Sequence, residues 1–156
     1  MKQTPELDAI QARMRPGVLT MSGFLGSDPR PLADILAEDG AAVAAAGLTH
    51  ARIADRLEEI TRLGTHLMEA EVLVEQRFRV TVRDDRGVIA SPFGDGRFGK
   101  GDTEVVDPVT GRIFRWNGLT LHHIRTHGFY NGRGSEYRLE PRDLVEVFGL
   151  VPAADG

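Results

Sequence analysis

No cysteine occurs anywhere in the 156 residues. A disulfide, a thiol nucleophile and a thiolate metal ligand are therefore all excluded. A chain without cysteine fits a reducing compartment, and a cytoplasmic protein is expected. Long apolar runs are missing too. None approaches the roughly 18 residues of a membrane span, so no membrane partner is expected. The first residues, MKQTPELDAIQARMRPG, lack the apolar heart of a secretory signal, which argues against export. A large excess of either charge is also absent. The formal net charge of −4 is too mild for a dedicated high-affinity nucleic-acid binder.

What is present is an ordinary soluble balance, 41% hydrophobic and 27% charged, in a length that supports one self-sufficient core. A single domain over 1–156 is expected, mainly helical in 1–75, with strands and two short helices in 76–156. The charge is unevenly spread. Residues 1–75 carry seven basic and twelve acidic side chains, and residues 76–156 carry twelve and eleven. Within 112–138, five arginines face the single acid Glu136. A local positive field is possible there.

Along the chain, GVLTMSG (17–23) reads as a strand or buried extended segment, followed by a loop holding Gly23, Gly26, Pro29 and Pro31. PLADILAEDG reads as a helix stopped by Gly40, which AAVAAAGL continues brokenly. A longer helix begins at Thr49. Ile53, Leu57 and Ile60 recur at helical spacing, and Leu63, Leu67 and Met68 carry the stripe toward Val72. RFRVTV alternates as a strand, DDRG turns into VIA, and SPFGDGRFGKGD reads as an exposed glycine loop. TEVV, DPVTG and RIFRW form a β-hairpin, a short helix follows, and PRDLVEVF closes the chain before Gly149. This order predicts an α+β fold, its helical N-terminal half packed on a small antiparallel sheet with a ββα-like C-terminal unit.

The stretch LHHIRTHGFYNGRGSEYR (121–138) holds three of the five histidines. Local rules explain its first half. Asn117 is a good N-cap, Trp116 and Leu121 occupy the positions of a hydrophobic staple, and Gly128 suits the left-handed residue after the helix. Phe129 and Ile124 then fall at the contacting positions of a Schellman motif. At about 100° per residue, Leu121 and Ile124 share one face while His123 and His127 lie together on the other. The structural reading is a capped amphipathic helix with its histidines outward.

The chemical reading makes His123 and His127, four apart, a divalent-metal pair. A third ligand is then required: His122 if the helix end distorts, His50 or His66, or a carboxylate such as Asp95 or Asp102. Alternatively, the NGRGSEYR turn offers amides at Gly132 and Gly134 with Ser135, Arg133 and Arg138, the makings of an anion nest. Trp116, Phe129, Tyr130 and Tyr137 are candidate stacking partners for a planar ligand. The bland alternative is a hairpin turn with solvated arginines and core aromatics.

The segment TEVVDPVTGRIFRWNGLTLHHIRTHG resembles the hairpin and helix of a two-cysteine, two-histidine zinc finger over residues 103–128. Ile113, Leu119 and His122 follow the finger's spacing, and His127 takes the place of its second histidine. The cysteines are missing, so only a ββα shape carries over. MRPGVLTMSGFLGSDPRPLADIL and HIRTHGFYNGRGSEYRLEP also resemble an uncharacterised family of conserved bacterial cytosolic proteins. That resemblance implies a small bacterial cytoplasmic protein and no particular activity.

Three functions therefore stand. The first is binding of an anionic or planar ligand, a phosphorylated metabolite, nucleotide or nucleic acid, through Arg125, Arg133, Ser135 and Arg138. The second is a metal-dependent or histidine-based enzyme acting on a small anionic substrate. In it His123 and His127 hold an ion or move a proton, Arg133 holds the substrate and Tyr130 orients it. The third is a protein-interaction subunit, and a homo-oligomer is compatible with each.

Overall fold

The computed structural model describes residues 1–85 and 87–152. Arg86 of the expected DDRG turn and residues 153–156 lie outside the described residues. Helix α1 spans Pro5–Arg13, α2 Leu32–Ala45 and α3 His50–Gly64. Strands follow: β1 Glu71–Val74, β2 Phe78–Arg83, β3 Val88–Ala90, β4 Arg97–Gly99, β5 Asp102–Val106 and β6 Ile113–Trp116. Helix α4, Gly118–His122, runs into a π turn at His123–His127, and α5 spans Pro141–Val147. The architecture is α+β.

β1, β2, β5 and β6 form an antiparallel sheet in that order, and β3 pairs with β4 as a separate hairpin inserted between β2 and β5. One face of the large sheet carries Phe78, Val80, Val82, Val105, Phe114 and Trp116, all buried. Across it lies α3, whose Ile53, Leu57 and Ile60 are fully buried. Thr61 ties the two layers, accepting from Trp116 Nε1 at 2.8 Å and meeting Thr103 Oγ1 at 2.9 Å. A second core lies under the N-terminal helices, where Ile10, Met14, Leu32 and Ile35 meet Phe24, Leu119 and Phe129. Helix α4 and its π turn divide the two cores. Ile124 belongs to the first and Phe129 to the second, so the expected contact between them gives way to two separate anchors.

Several elements differ from the sequence expectation. Residues 17–22 are turns and bends with Val18 and Met21 exposed. Helix α1 shows almost no stripe, since Ile10 is its only buried residue, and it starts on the Thr4 cap and Pro5. Helix α2 runs through Gly40 because the alanines beyond it are the strongest helix formers. Helix α3 stops at Gly64, where any side chain would collide with Val80, leaving Leu63, Leu67 and Met68 exposed. β1 then enters a tight turn at Glu75 and Gln76, with φ of 53° and 57°, residues that carry no turn signal of their own.

Candidate metal centre

The capping of α4 is as the residues dictate. The Asn117 side chain accepts from Thr120 N at 2.9 Å, and Thr120 Oγ1 accepts from Asn117 N at 3.2 Å. Beyond His122 the hydrogen-bond ladder widens. Gly128 N donates to His123 O and Ile124 O, and Phe129 N reaches His123 O at 3.1 Å. Gly128 sits at φ +62° with His50 close against its α-carbon. A regular α-helix sets residues five apart roughly 140° from one another, whereas a π turn closes residue i on i+5 and stacks them. His122 and His127 thereby come to one side, and His123 turns inward.

Facing the pair is the hairpin loop between β3 and β4. Ser91 N donates to Gly96 O at 2.9 Å and Gly94 N to Ser91 O at 3.0 Å, closing the loop tightly. Gly94 and Gly96, at φ +77° and +130°, supply the left-handed backbone this needs. Arg13 clips the loop to α1 through a 2.7 Å bond from Nε to Pro92 O. Asp95, held at the tip, accepts at Oδ2 from His122 Nε2 and from His127 Nε2, each at 2.7 Å. One ligand atom from each of the three residues lies within 4.8 Å of the others.

Both imidazoles are braced. Phe93 stacks on His127 at 3.8 Å between centroids, and Phe98 stacks on His122 at 4.0 Å. Thr126 Oγ1 meets His122 Nδ1 at 3.3 Å. A hydroxyl both donates and accepts, so Thr126 suits either tautomer of that ring. Burial works to raise the Asp95 carboxyl. Hydrogen bonds from Ser91, His127 and His122 overcome it and hold the group well below the usual carboxylate range. Two imidazole nitrogens and one carboxylate oxygen form a donor set suited to zinc or ferrous iron. Ideal tetrahedral zinc spaces its donors about 3.3 Å apart, so the two 2.7 Å contacts would each open by about 0.6 Å around an ion.

The expected His123–His127 pair is therefore replaced by His122 and His127, the two histidines that the finger-like spacing also picks out. His123 is 1% exposed among Phe24, Phe93 and Phe129, with Nε2 on Ser91 Oγ at 3.2 Å. Burial, helped by the neighbouring histidines, pushes its imidazole down to about 3. Tyr130 is fully buried on the far side, bonded to His50 Nδ1 at 2.8 Å, and burial raises its phenol well above the ordinary range. Neither Tyr130 nor His50 reaches the centre. Asp102 instead accepts from Tyr137 OH at 3.0 Å, and His66 is exposed beyond α3.

Each of the expected anion-binding residues is engaged by other groups of the chain, and none bonds Asp95, His122 or His127. Arg125 bonds Asp55 at 2.7 Å and Glu58 at 2.9 Å. Arg133 bonds Glu38 at 2.6 Å, and its main-chain amide donates to Asp28 Oδ2 at 3.0 Å. The nest expected around Gly132–Gly134 thus already holds a carboxylate of the chain itself. Arg138 bonds both oxygens of Asp39 and reaches Glu140 at 3.0 Å. Ser135 Oγ accepts from Asn131 Nδ2 at 3.1 Å. Trp116, Phe129 and Tyr130 are core residues with no free face.

Sequence reasoning gave no role to Ser91, Phe93 or Phe98. The signal for them is a Gly-Asp-Gly tip with Phe93 two residues before Asp95 and Phe98 three after it, opposite a histidine-rich helix end. No protein-family model, curated protein or solved structure matches this chain.

Proposed function

We propose that the protein binds one divalent metal ion at Asp95, His122 and His127, and that it is a metal-dependent enzyme. The observation that carries this reading is the convergence of two phenylalanine-braced Nε2 atoms on one carboxylate oxygen. Three protein ligands leave at least one coordination position for water or substrate, the arrangement of catalytic rather than structural sites. A metal there lowers the pKa of bound water or polarises a substrate oxygen. Binding requires each Nε2 to give up its proton. His122 then keeps one on Nδ1 and donates it to Thr126, an orienting bond of the kind that fixes metal-bound imidazoles.

The paired state of Arg125, Arg133 and Arg138 favours this reading over an arginine-built anion site. An incoming anion would have to displace a carboxylate already in place at each of them. Elemental analysis of protein purified without added metal, together with thermal shift in zinc, manganese and ferrous iron, tests the proposal. About one equivalent of metal, or a saturable rise in Tm that chelator reverses, is expected. Both should vanish in Asp95→Ala and His127→Ala. A metal-free protein whose Tm ignores all three ions would leave Asp95 as a simple clip between loop and helix.

A further inference from the structure

Helix α1 has few of the apolar contacts that usually hold a helix down. It buries Ile10, and Met14 just beyond its end is buried in the second core. Polar bonds do the rest. Pro31 gives α2 no side-chain cap, and the first amides of that helix are taken by glutamines of the N-terminal segment. Leu32 N donates to Gln11 Oε1 at 2.8 Å, and Ala33 N donates to Gln3 Oε1 at 2.9 Å. Gln11 Nε2 completes the set on Arg30 O at 3.0 Å. The position of α1 is thus fixed by the end of its neighbour.

From the last turn of α1, Arg13 reaches a loop 79 residues away, the one that carries Asp95. Its Nε donates to Pro92 O at 2.7 Å. The other main-chain bonds of residues 91–96 stay within the loop: Ser91 N to Gly96 O, Gly94 N to Ser91 O and Phe93 N to Ser91 Oγ. Among the described residues, Arg13 therefore makes the one hydrogen bond that ties this main chain to another element. Proline has no N–H, so its carbonyl is the only handle its backbone offers. A guanidinium donor makes that bond charge-assisted, roughly twice as strong as a neutral one. Phe93, the next residue, stacks on His127, and it packs against the same core as Ile10 and Met14. Where Pro92 is held decides where Phe93 and Asp95 meet the two histidines.

We infer that α1 is a strap that holds the Asp95 loop against the histidine turn, with Arg13 as its positioning residue. Its effect on metal binding rests on the reading of Asp95, His122 and His127 as a metal site. Its effect on loop motion does not. Arg13 touches neither ion nor substrate and acts only through Pro92.

Two substitutions separate the hydrogen bond from the size and charge of the side chain. Glutamine places an amide nitrogen at the position of arginine Nε, and methionine places a methyl group there. Arg13→Met should weaken zinc binding by about tenfold at unchanged stoichiometry, measured by competition with a chelating indicator. Arg13→Gln should stay within about threefold of the wild type. Arg77→Met, the same change at an arginine bonded to Asp107, should lower Tm and leave the zinc affinity as it was. In chelator, amide hydrogen exchange at Ser91 and Gly94 should run about tenfold faster in Arg13→Met than in Arg13→Gln. Equal exchange in those two variants overturns the strap. So does a zinc affinity in Arg13→Met that matches the wild type, or one that falls as far in Arg13→Gln or Arg77→Met. A wild type that takes no zinc removes the metal reading, and the exchange comparison then decides the strap by itself.

Discussion

The guanidinium of Arg138 grips both carboxylate oxygens of Asp39, at 2.6 and 2.9 Å, across 99 residues of chain. The pair is nearly buried, with side-chain exposures of 10% and 5%, and it joins α2 to the segment leading into α5. Arg138→Met leaves Asp39 buried without its partner and should cost about 3–5 kcal/mol. Arg138→Met with Asp39→Leu should recover much of that loss. Urea unfolding of the wild type, each single variant and the double variant measures the cycle, and additive losses in the double variant would contradict the coupling.

Ser91 stands behind the candidate metal centre, lowering the Asp95 carboxyl on one side and meeting His123 Nε2 on the other. Ser91→Ala should weaken metal binding by about 10–100-fold while keeping its stoichiometry, the usual size of a lost outer hydrogen bond. Competition against a chelating indicator reads the affinity directly. An unchanged affinity would show that Asp95 is positioned by its histidines alone.

Stability should fall on mild acidification. The His123 imidazole titrates near 6.5 when unfolded and at about 3 when folded, so between those values the unfolded chain binds more protons. Its contribution is complete above about pH 6.5 and declines toward the folded value, by about 1.4 kcal/mol per pH unit. His50, also depressed by burial, acts in the same direction. His123→Gln should flatten the slope of unfolding free energy between pH 6 and 4.5. Below about pH 4 the carboxyls of Asp28 and Asp107, held low chiefly by Arg30 and Arg77, add a further acid loss.

Two loops meet backbone to backbone at Gly132, whose N–H donates to Phe24 O at 2.9 Å. A methyl at Gly132 would run into the main chain of Leu25. Gly132→Ala should therefore destabilise by about 1–3 kcal/mol. Gly99→Ala, where nothing lies within 4 Å and φ is ordinary, should stay within about 0.5 kcal/mol. Thermal unfolding of the two variants side by side gives the comparison.

At Gln76 the backbone is left-handed, with φ +57°. Gln76→Gly removes the Cβ penalty at that position and should raise stability by up to about 1 kcal/mol. A loss instead would mean that the side chain contributes contacts exceeding its backbone strain.

What the sequence reveals is what is decided locally. The Asn117 cap, the helix start at Thr49, the β5–β6 hairpin and the left-handed Gly128 each depend on a few neighbouring residues, and each was legible. The ion pairs were not. Arg125 finds its acid 70 residues away, Arg133 finds one 95 away and Arg138 one 99 away, so a windowed charge count makes all three seem free. The helical wheel sets His123 beside His127 because it assumes a constant period, whereas one widened turn moves every later residue by about 100° and brings His122 to His127 on Asp95 instead. Asp95 was visible as a candidate, but only tertiary structure brings it to His122 and His127.

The stacked rings have a magnetic consequence. His127 lies nearly parallel to Phe93, at 5°, and His122 lies 17° from the plane of Phe98, so both imidazoles sit in the shielding cone above a phenyl face. His123 meets Phe24, Phe93 and Phe129 nearly edge-on, at 67–69°, where the ring current is experienced differently. His66, exposed, has ordinary surroundings. The imidazole protons should therefore separate into upfield and unshifted resonances without any label. Each candidate ligand carries its own reporter, and an ion arriving at Asp95 announces itself in the two most shielded signals first.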